Sequence, residues 1–372
     1  MAGTILITGG AGFIGSHLCD ELLRHGYRVR VLDNLSLQVH RAGRPPDYLD
    51  PEVELRVGDV RDAAVVEAAL EDVDAVVHFA ARVGVGQSMY EITDYTSANG
   101  QGAAVLLEAL TRQPVRRLLV ASSMSVYGEG LYRDAGGAEI MTRRRPFDLA
   151  AGKWDIPGAD GEPLTPMPTP ETKVPDLTSI YALSKYHQER MALIFGDAYQ
   201  VPTVAMRFFN VYGPRQALSN PYTGVLAIFA TRLLNDHPPL VYEDGRQRRD
   251  FVHVSDAVRA CRLALEAEKD CIAGQVFNIG GACDVTIGRL AELMAAVLGK
   301  EILPVITGRY RKGDIRHCFG DITHAQRRLD YWPQVALEDG IRNMTPWLTA
   351  QRGIEDRVEQ ADAELRRRGL SA

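Results

Sequence analysis

Apolar runs and amphipathic stretches alternate along most of the chain. "TILIT" at residues 4–8 lacks the polar alternation of a half-exposed strand, as expected for a parallel strand covered on both faces. Ile14, Leu18, Leu22 and Leu23 then recur at helical spacing until Gly26, and "VRVLDN" reads as the next strand. The alternation continues with a strand near 53–57, a helix over 62–71, a strand over 74–79, a helix from about 98 to 111 and a strand over 117–122. Such βα repetition predicts an α/β fold built on a doubly wound parallel sheet.

Between residues 129 and 176 the pattern lapses into glycine, proline and charge, so this insertion is expected to be a lid over the site or a disordered loop. Its "RRR" run at 143–145 reads as a solvated charge run, with contact to a substrate phosphate as the alternative. Order resumes with a helix over 181–197 and the strand "TVAMRFF". Helices over 225–235, 255–267 and 286–298 follow, with short strands near "PLVYE" and "VFNIG". The expected division is a dinucleotide-binding unit over 1–209 joined by 250–281, and a smaller C-terminal α/β substrate unit from 210–249 and 282–350. Residues 351–372 form a charged helical tail expected to pack weakly or fray.

The turn after the first strand carries the first candidate chemistry. Gly10, Gly12 and Gly15 satisfy G-x-G-x-x-G, and Gly9, Gly12 and Gly15 satisfy the looser G-x-x-G-x-x-G. A strand precedes the turn, a helix follows it, and Asp33 ends the next strand, which is the context a dinucleotide site requires. Backbone N–H groups can then approach a pyrophosphate at a helix N-terminus. Asp33 can accept from ribose hydroxyls and would repel a 2′-phosphate, so NAD is favoured over NADP, although Arg41 and Arg44 follow in the loop. Asp59 and the run Phe79, Ala80 and Ala81 fall at strand C-termini, the edge where such sheets bind ligands, with simple strand caps as the alternative for Asp59.

Composition narrows the classes. A hydrophobic share of 46% supports a real core, and a formal charge of −6 leaves no footprint for nucleic acid, so an anionic substrate would need locally placed arginines. The five cysteines are scattered without C-x-x-C, which implies reduced thiols in a cytoplasmic protein and no metal site. No charged leader precedes "TILIT", and no apolar run reaches the ~18 residues of a membrane span, so neither export nor membrane anchoring is expected.

Tyr181 and Lys185 stand four apart in "SIYALSK", a spacing that puts both on one helix face and by itself suits a solvated face equally well. With "TGGAGFIGSHL", "SSMSVYG", "YALSK", "RFFNVYGPRQ" and "RDFVHVSD" in this order, the chain resembles the extended short-chain dehydrogenase/reductases, whose fold is of Rossmann type. Within them it is similar to the nucleotide-sugar 4-epimerases acting on UDP-sugars or dTDP-6-deoxysugars. The resemblance implies a catalytic triad of Ser123, Tyr181 and Lys185 and an NAD site that adds Phe13, Ile14, Asn34, Val60 and Asn99 to the residues above. Lys185 and the oxidised nicotinamide are expected to draw the Tyr181 phenol toward neutrality, so that it takes the proton of a sugar hydroxyl. The 4-keto sugar would turn over in the pocket and be reduced on its other face. A homodimer is implied as well, and Tyr127 is expected to pack near the nicotinamide.

The same resemblance separates reactions at positions 124 and 125. Dehydratases of the superfamily place an aspartate and a glutamate there, decarboxylases the glutamate, and 3,5-epimerase/reductases a cysteine at 125. This chain has Met124 and Ser125, neither suited to general acid work on the ring. Simple 4-epimerisation remains, with a 4-ketoreductase or sugar dehydrogenase as the alternative and an idle NAD-binding regulator as a third class that would have lost Tyr181 or Lys185. Implied substrate contacts are Ser125, Asn210, Arg249 and Arg311 as diphosphate forks, Asp314 at the nucleotide ribose, and Cys318, whose small side chain would leave room beside the sugar.

Overall fold

Seven short runs rich in Val, Ile and Leu make the central sheet: β1 (Thr4–Thr8), β2 (Arg28–Asp33), β3 (Glu54–Val57), β4 (Ala75–His78), β5 (Arg117–Ser123), β6 (Thr203–Phe208) and β7 (Gln275–Ile279). In this computed structural model, which describes every residue except 1–2, 41–42, 219, 221, 223 and 352–353, they lie in the order β7-β6-β5-β4-β1-β2-β3. Every pairing in the sheet is parallel, so connections must cross over its faces and helices bury both. Arg41 lies outside the described residues.

One face is covered by α1 (Phe13–Arg24) and by a helix over Val254–Glu266, packing Leu18, Leu22, Ala257 and Cys261 against Ile5, Val31 and Met206. The other is covered by α2 (Ala63–Ala69), α3 (Gly102–Arg112) and α4 (Ile180–Tyr199), which contribute Val66, Leu106, Leu110 and Leu193. Side-chain caps fix two of these starts: Asp62 accepts from the Ala64 amide at 3.0 Å, and Ser179 from the Ala182 amide at 3.1 Å. The helix expected from about 98 begins as a π-helix over Thr96–Gln101 that runs into α3.

A second core gathers α5 (Val225–Leu234), α7 (Ile287–Val297) and α8 (Leu337–Ala350) near the first, to which the helix Val254–Glu266 (α6) belongs. Buried side chains of the second core include Phe229, Leu290, Met294 and Met344. A parallel strand pair, Asn210–Tyr212 with Phe251–His253, ties the two together, because Phe251 joins the second core and Val252 the first.

The disordered alternative for the 129–176 insertion is set aside, and the fraying expected of the tail is corrected. The 129–176 insertion is ordered: its strands Leu131–Arg133, Glu139–Ile140 and Thr165–Met167 form an antiparallel sheet. It is pinned by buried charge. Glu129 accepts from the Arg316 amide at 2.8 Å, the Tyr132 hydroxyl at 2.9 Å and Arg144 at 2.9 Å, while Arg144 also reaches Glu243 at 2.5 Å. Arg316, fully buried, pairs with Asp155, Glu243 and Asp244. The arginine run is therefore not uniformly solvated: the Arg144 side chain is 5% exposed, against 70% for Arg143 and 67% for Arg145. Nor does the tail fray. Helix α9 (Val358–Arg367) buries Val358, Ala361, Asp362 and Leu365, and the final residues pair with the chain at 310–312, Tyr310 and Ala372 exchanging hydrogen bonds of 2.9 and 3.0 Å.

Removing one partner of a buried ion pair leaves the other uncompensated, at a cost of about 3–5 kcal/mol. Arg316→Ala is expected to destabilise the protein by that amount in urea unfolding, whereas Arg145→Ala, at an exposed position, should have a much smaller effect. Equal small effects would contradict the anchoring role of the network.

Candidate active site

The parallel strands end together, Thr8 lying opposite Leu32 on one side and His78 on the other. From this edge a cavity of about 700 Å³ runs past the glycine turn and β5 to the second core. Gly9 has φ +71°, a conformation that side chains resist, and a Cβ on Gly15 would sit 2.5 Å from the Gly9 carbonyl oxygen. The turn is thus bare backbone at the start of α1. Asp33 locks it from the next strand, accepting from the Ala11 amide at 3.1 Å and the Leu35 amide at 2.9 Å. Asn34 donates to Asp59 at 3.0 Å, and hydrogen bonds from Arg61 hold the Asp59 carboxyl well below the usual carboxylate range. A side-chain-free cradle at a helix N-terminus with an acid at the neighbouring strand end fits a dinucleotide's pyrophosphate and ribose. Arg44 is exposed and does not line the cavity.

The candidate triad meets beyond the turn. Ser123 ends β5, and its hydroxyl accepts from the Ser125 amide at 3.2 Å and donates to the Ser125 hydroxyl at 3.2 Å. Tyr181 lies in the first turn of α4, with its amide donating to the Ser88 hydroxyl at 3.0 Å and its ring edge-on to Tyr95. Lys185, one turn on, donates to Gln188 at 2.8 Å; Gln188 reaches His78 at 3.2 Å, and His78 meets Thr8 at 2.7 Å. Burial draws Lys185 down to about 7, opposed by Glu189, and pushes the Tyr181 phenol up, opposed by a hydrogen bond with Ser123. His78, fully buried, is drawn down to about 3 and stays neutral.

At the far end, Arg249 donates to the carbonyls of Arg248, Ile315 and Arg316 at 2.9, 2.5 and 3.0 Å. Arg311 lies with its guanidinium carbon 4.1 Å from the Tyr242 ring centroid. Among the described residues neither has a carboxylate within ion-pair distance, in contrast to Arg144 and Arg316. Asn210 donates to the Asp250 carbonyl at 2.9 Å.

Gly9, Gly12, Phe13, Ile14, Gly15, Asp33, Asn34, Asp59, Val60 and Phe79 to Ala81 all line this cavity, together with the triad, Ser125, Asn210, Arg249, Arg311 and Asp314. Three of the expected residues do not line it. Asn99 is buried behind the wall, where it bonds the backbone of Arg82 and the Ser184 hydroxyl. Cys318 is enclosed with Val126, Tyr127 and Phe209, so its small side chain opens no space at the cavity. Tyr127 is in that same cluster, its hydroxyl donating to Asn278 at 2.6 Å. Sequence reasoning missed Gln188, which steadies Lys185, and the tail residues Val358, Ala361, Asp362 and Leu365, which line the cavity. The apolar spacing of Val358, Ala361 and Leu365 in "VEQADAEL" was the available signal.

The profile of the NAD dependent epimerase/dehydratase family matches residues 5–280. The chain belongs to this family. It is 35% identical to a dTDP-L-rhamnose 4-epimerase of Burkholderia thailandensis, over 93% of this chain and 95% of the relative. It is 32% identical to a dTDP-glucose 4,6-dehydratase of Actinoplanes sp., over 94% of this chain and 98% of that one. Among solved structures, the UDP-glucose 4-epimerase of Thermus thermophilus in complex with NAD superposes with a TM-score of 0.75 at 29% identity, covering 93% of this chain and 99% of the other. As a family member the chain is an NAD-dependent nucleotide-sugar epimerase of Rossmann type. Among the described residues no helix is long and apolar enough to cross a membrane.

The cradle makes a direct test. Gly15→Ala forces a Cβ against the Gly9 carbonyl, and such overpacking costs about 1–3 kcal/mol. NAD affinity measured by fluorescence titration should fall roughly 5- to 150-fold if that strain is felt on binding, whereas Gly161→Ala, whose strain at φ +87° lies in the insertion away from the cavity, should leave it unchanged. Unaltered affinity in Gly15→Ala would contradict the placement.

Proposed function

We propose that this site epimerises C4 of a neutral hexose or 6-deoxyhexose carried on a nucleoside diphosphate. Tyr181 takes the proton of the C4 hydroxyl as that carbon is oxidised and returns it when the 4-keto sugar is reduced on the opposite face. Ser123 hydrogen-bonds the same oxygen and keeps it within reach of the phenol. Lys185, held by Gln188, favours the phenolate when protonated. NAD, when bound, supplies the hydride acceptor and a positive charge beside the phenol. Asn210, Arg249 and Arg311 take the diphosphate, since arginine forks with no competing carboxylate suit a dianion in a net-acidic chain.

The observation that carries the choice between epimerase and dehydratase relatives is the turn Met124–Tyr127 after Ser123, where Met124 is buried and Ser125 lines the cavity. Neither can remove the proton on C5 or protonate a hydroxyl leaving C6, as dehydration requires. The neutral sugar is supported by Arg82, whose charge is engaged by Glu91 at 2.7 Å and Asp94 at 3.7 Å. The most similar sequence described above makes dTDP-L-rhamnose the first substrate to try, and UDP-glucose the second. The same reading takes the enzyme as a cytoplasmic homodimer; its five free thiols agree with a reducing compartment.

Tyr181→Phe removes the proton carrier and is expected to lower kcat at least ~100-fold while bound NAD is retained. Retained turnover would contradict the role. Proton NMR of the purified enzyme with dTDP-L-rhamnose or UDP-glucose should show the C4 epimer forming to equilibrium with no added cofactor. Conversion that requires stoichiometric NAD(H) would overturn epimerisation in favour of net redox.

A further inference from the structure

Helix α9 and the residues after it cross the mouth of the cavity and touch both lobes. On the side of the large sheet, a Cβ on Gly86 would meet Leu365 at 3.4 Å, and the Arg368 guanidinium lies 4.2 Å from the Tyr90 ring centroid. On the other side Asp362, with a side chain 3% exposed, accepts from the Tyr242 hydroxyl at 2.6 Å and from Arg309 at 2.9 Å. Tyr242 in turn carries Arg311 over its ring. The last residues then pair antiparallel with the segment holding that arginine, Ser371 opposite Arg311 and Lys312 donating to the Leu370 carbonyl at 2.9 Å.

The apolar face of α9 is not spent on a core alone. Val358, Ala361 and Leu365 line the cavity, as do Phe229, Leu240 and Tyr242. An apolar and aromatic wall beside Arg249 and Arg311 suits a planar base joined to a diphosphate, the base desolvating against the wall and the phosphates meeting the guanidinium groups. The Nε of Arg311 is buried without a hydrogen-bond partner among the described residues, a donor left for a ligand's oxygen. Its long side chain has many rotamers, and what restricts them here is Tyr242, itself fixed by Asp362.

We propose, resting on the nucleotide-sugar reading above, that residues 358–372 are a built part of the nucleotide pocket. Helix α9 walls the end that takes the nucleoside, and Asp362, acting through Tyr242, is the positioning residue that aims Arg311 at the diphosphate. The tail thereby couples substrate affinity to a segment lying outside the matched family region at 5–280.

Calorimetric titration of the full-length protein with UDP and with dTDP reads the nucleotide end without regard to the sugar or to turnover. The wild type is expected to bind at least one of them. Asp362→Ala should weaken that Kd at least ~10-fold, and Asp362→Asn, which keeps an acceptor for Tyr242, should recover most of the loss. A chain ending at Arg357 should lose as much as Asp362→Ala or more. KM for the nucleotide sugar should rise in parallel while kcat in Asp362→Ala stays within about twofold and bound NAD is unchanged. Nucleotide affinity within about twofold of wild type in both Asp362→Ala and the shortened chain overturns the proposal and leaves the nucleotide-sugar reading intact. Loss of NAD together with nucleotide, as a general structural role would produce, also overturns it. Failure of the wild type to bind either nucleotide overturns the underlying reading instead.

Discussion

Strand order reverses between β1 and β4: β2 and β3 extend the sheet on one side of β1, while β4 to β7 extend it on the other. Crossover connections on the two sides leave the carboxyl ends of these strands in opposite directions, so a crevice opens above them that no helix fills. The glycine turn follows β1, the wall of Phe79, Ala80 and Ala81 follows β4, and Ser123 closes β5. Thr8 and His78 bind each other across this point, and through Gln188 the same contact reaches Lys185. Lys185 and the cofactor turn are therefore tied by one buried chain of hydrogen bonds in which His78 stays neutral near neutral pH, while Lys185, drawn down to about 7, titrates there.

Charge is divided between structure and substrate. The chain is acidic overall, yet four arginines sit in or near the buried junction of the insertion with the second core. Arg144 and Arg316 are consumed by Glu129, Glu243, Asp155 and Asp244, which fixes the segment from 311 to 318. Arg249 is instead steadied by carbonyls and Arg311 by an aromatic ring, partners that hold a guanidinium without neutralising it. A rigid frame of satisfied ion pairs thus presents to the cavity two cations that have no carboxylate within ion-pair distance among the described residues, an arrangement that suits a diphosphate.

What could be read from sequence was local. Apolar runs such as "TILIT" and the Ser-Tyr-Lys set announced the sheet and the site, because strand patterning and motif spacing are short-range properties. What could not be read depends on partners far apart in the chain. Arg144 looked like one of three solvated arginines, yet its approach to Glu129, Glu243 and the Asp314 carbonyl buries it. Cys318 stands directly opposite Arg249 on the partner strand, yet it packs inward against Tyr127 and Phe209. Asn99 belongs to the cofactor region by motif, but a π-helical turn sends its amide to Arg82 and Ser184. The tail looked too charged to dock, although one face of its helix, made by Val358, Ala361 and Leu365, is apolar and lines the cavity.

The central claim is that the protein's own groups move only a hydroxyl proton, with Met124 and Ser125 unable to act on the ring carbons. Isotope retention tests this most directly. A nucleotide sugar deuterated at C4 is converted in ordinary water, and the unlabelled sugar is converted in deuterium oxide, with both products read by mass spectrometry and NMR. The account predicts full retention of the C4 label in the epimer and no deuterium at C4 or C5 from solvent. Washout at C4, or solvent deuterium at C5, would mean that carbon-bound protons are exchanged and would contradict it.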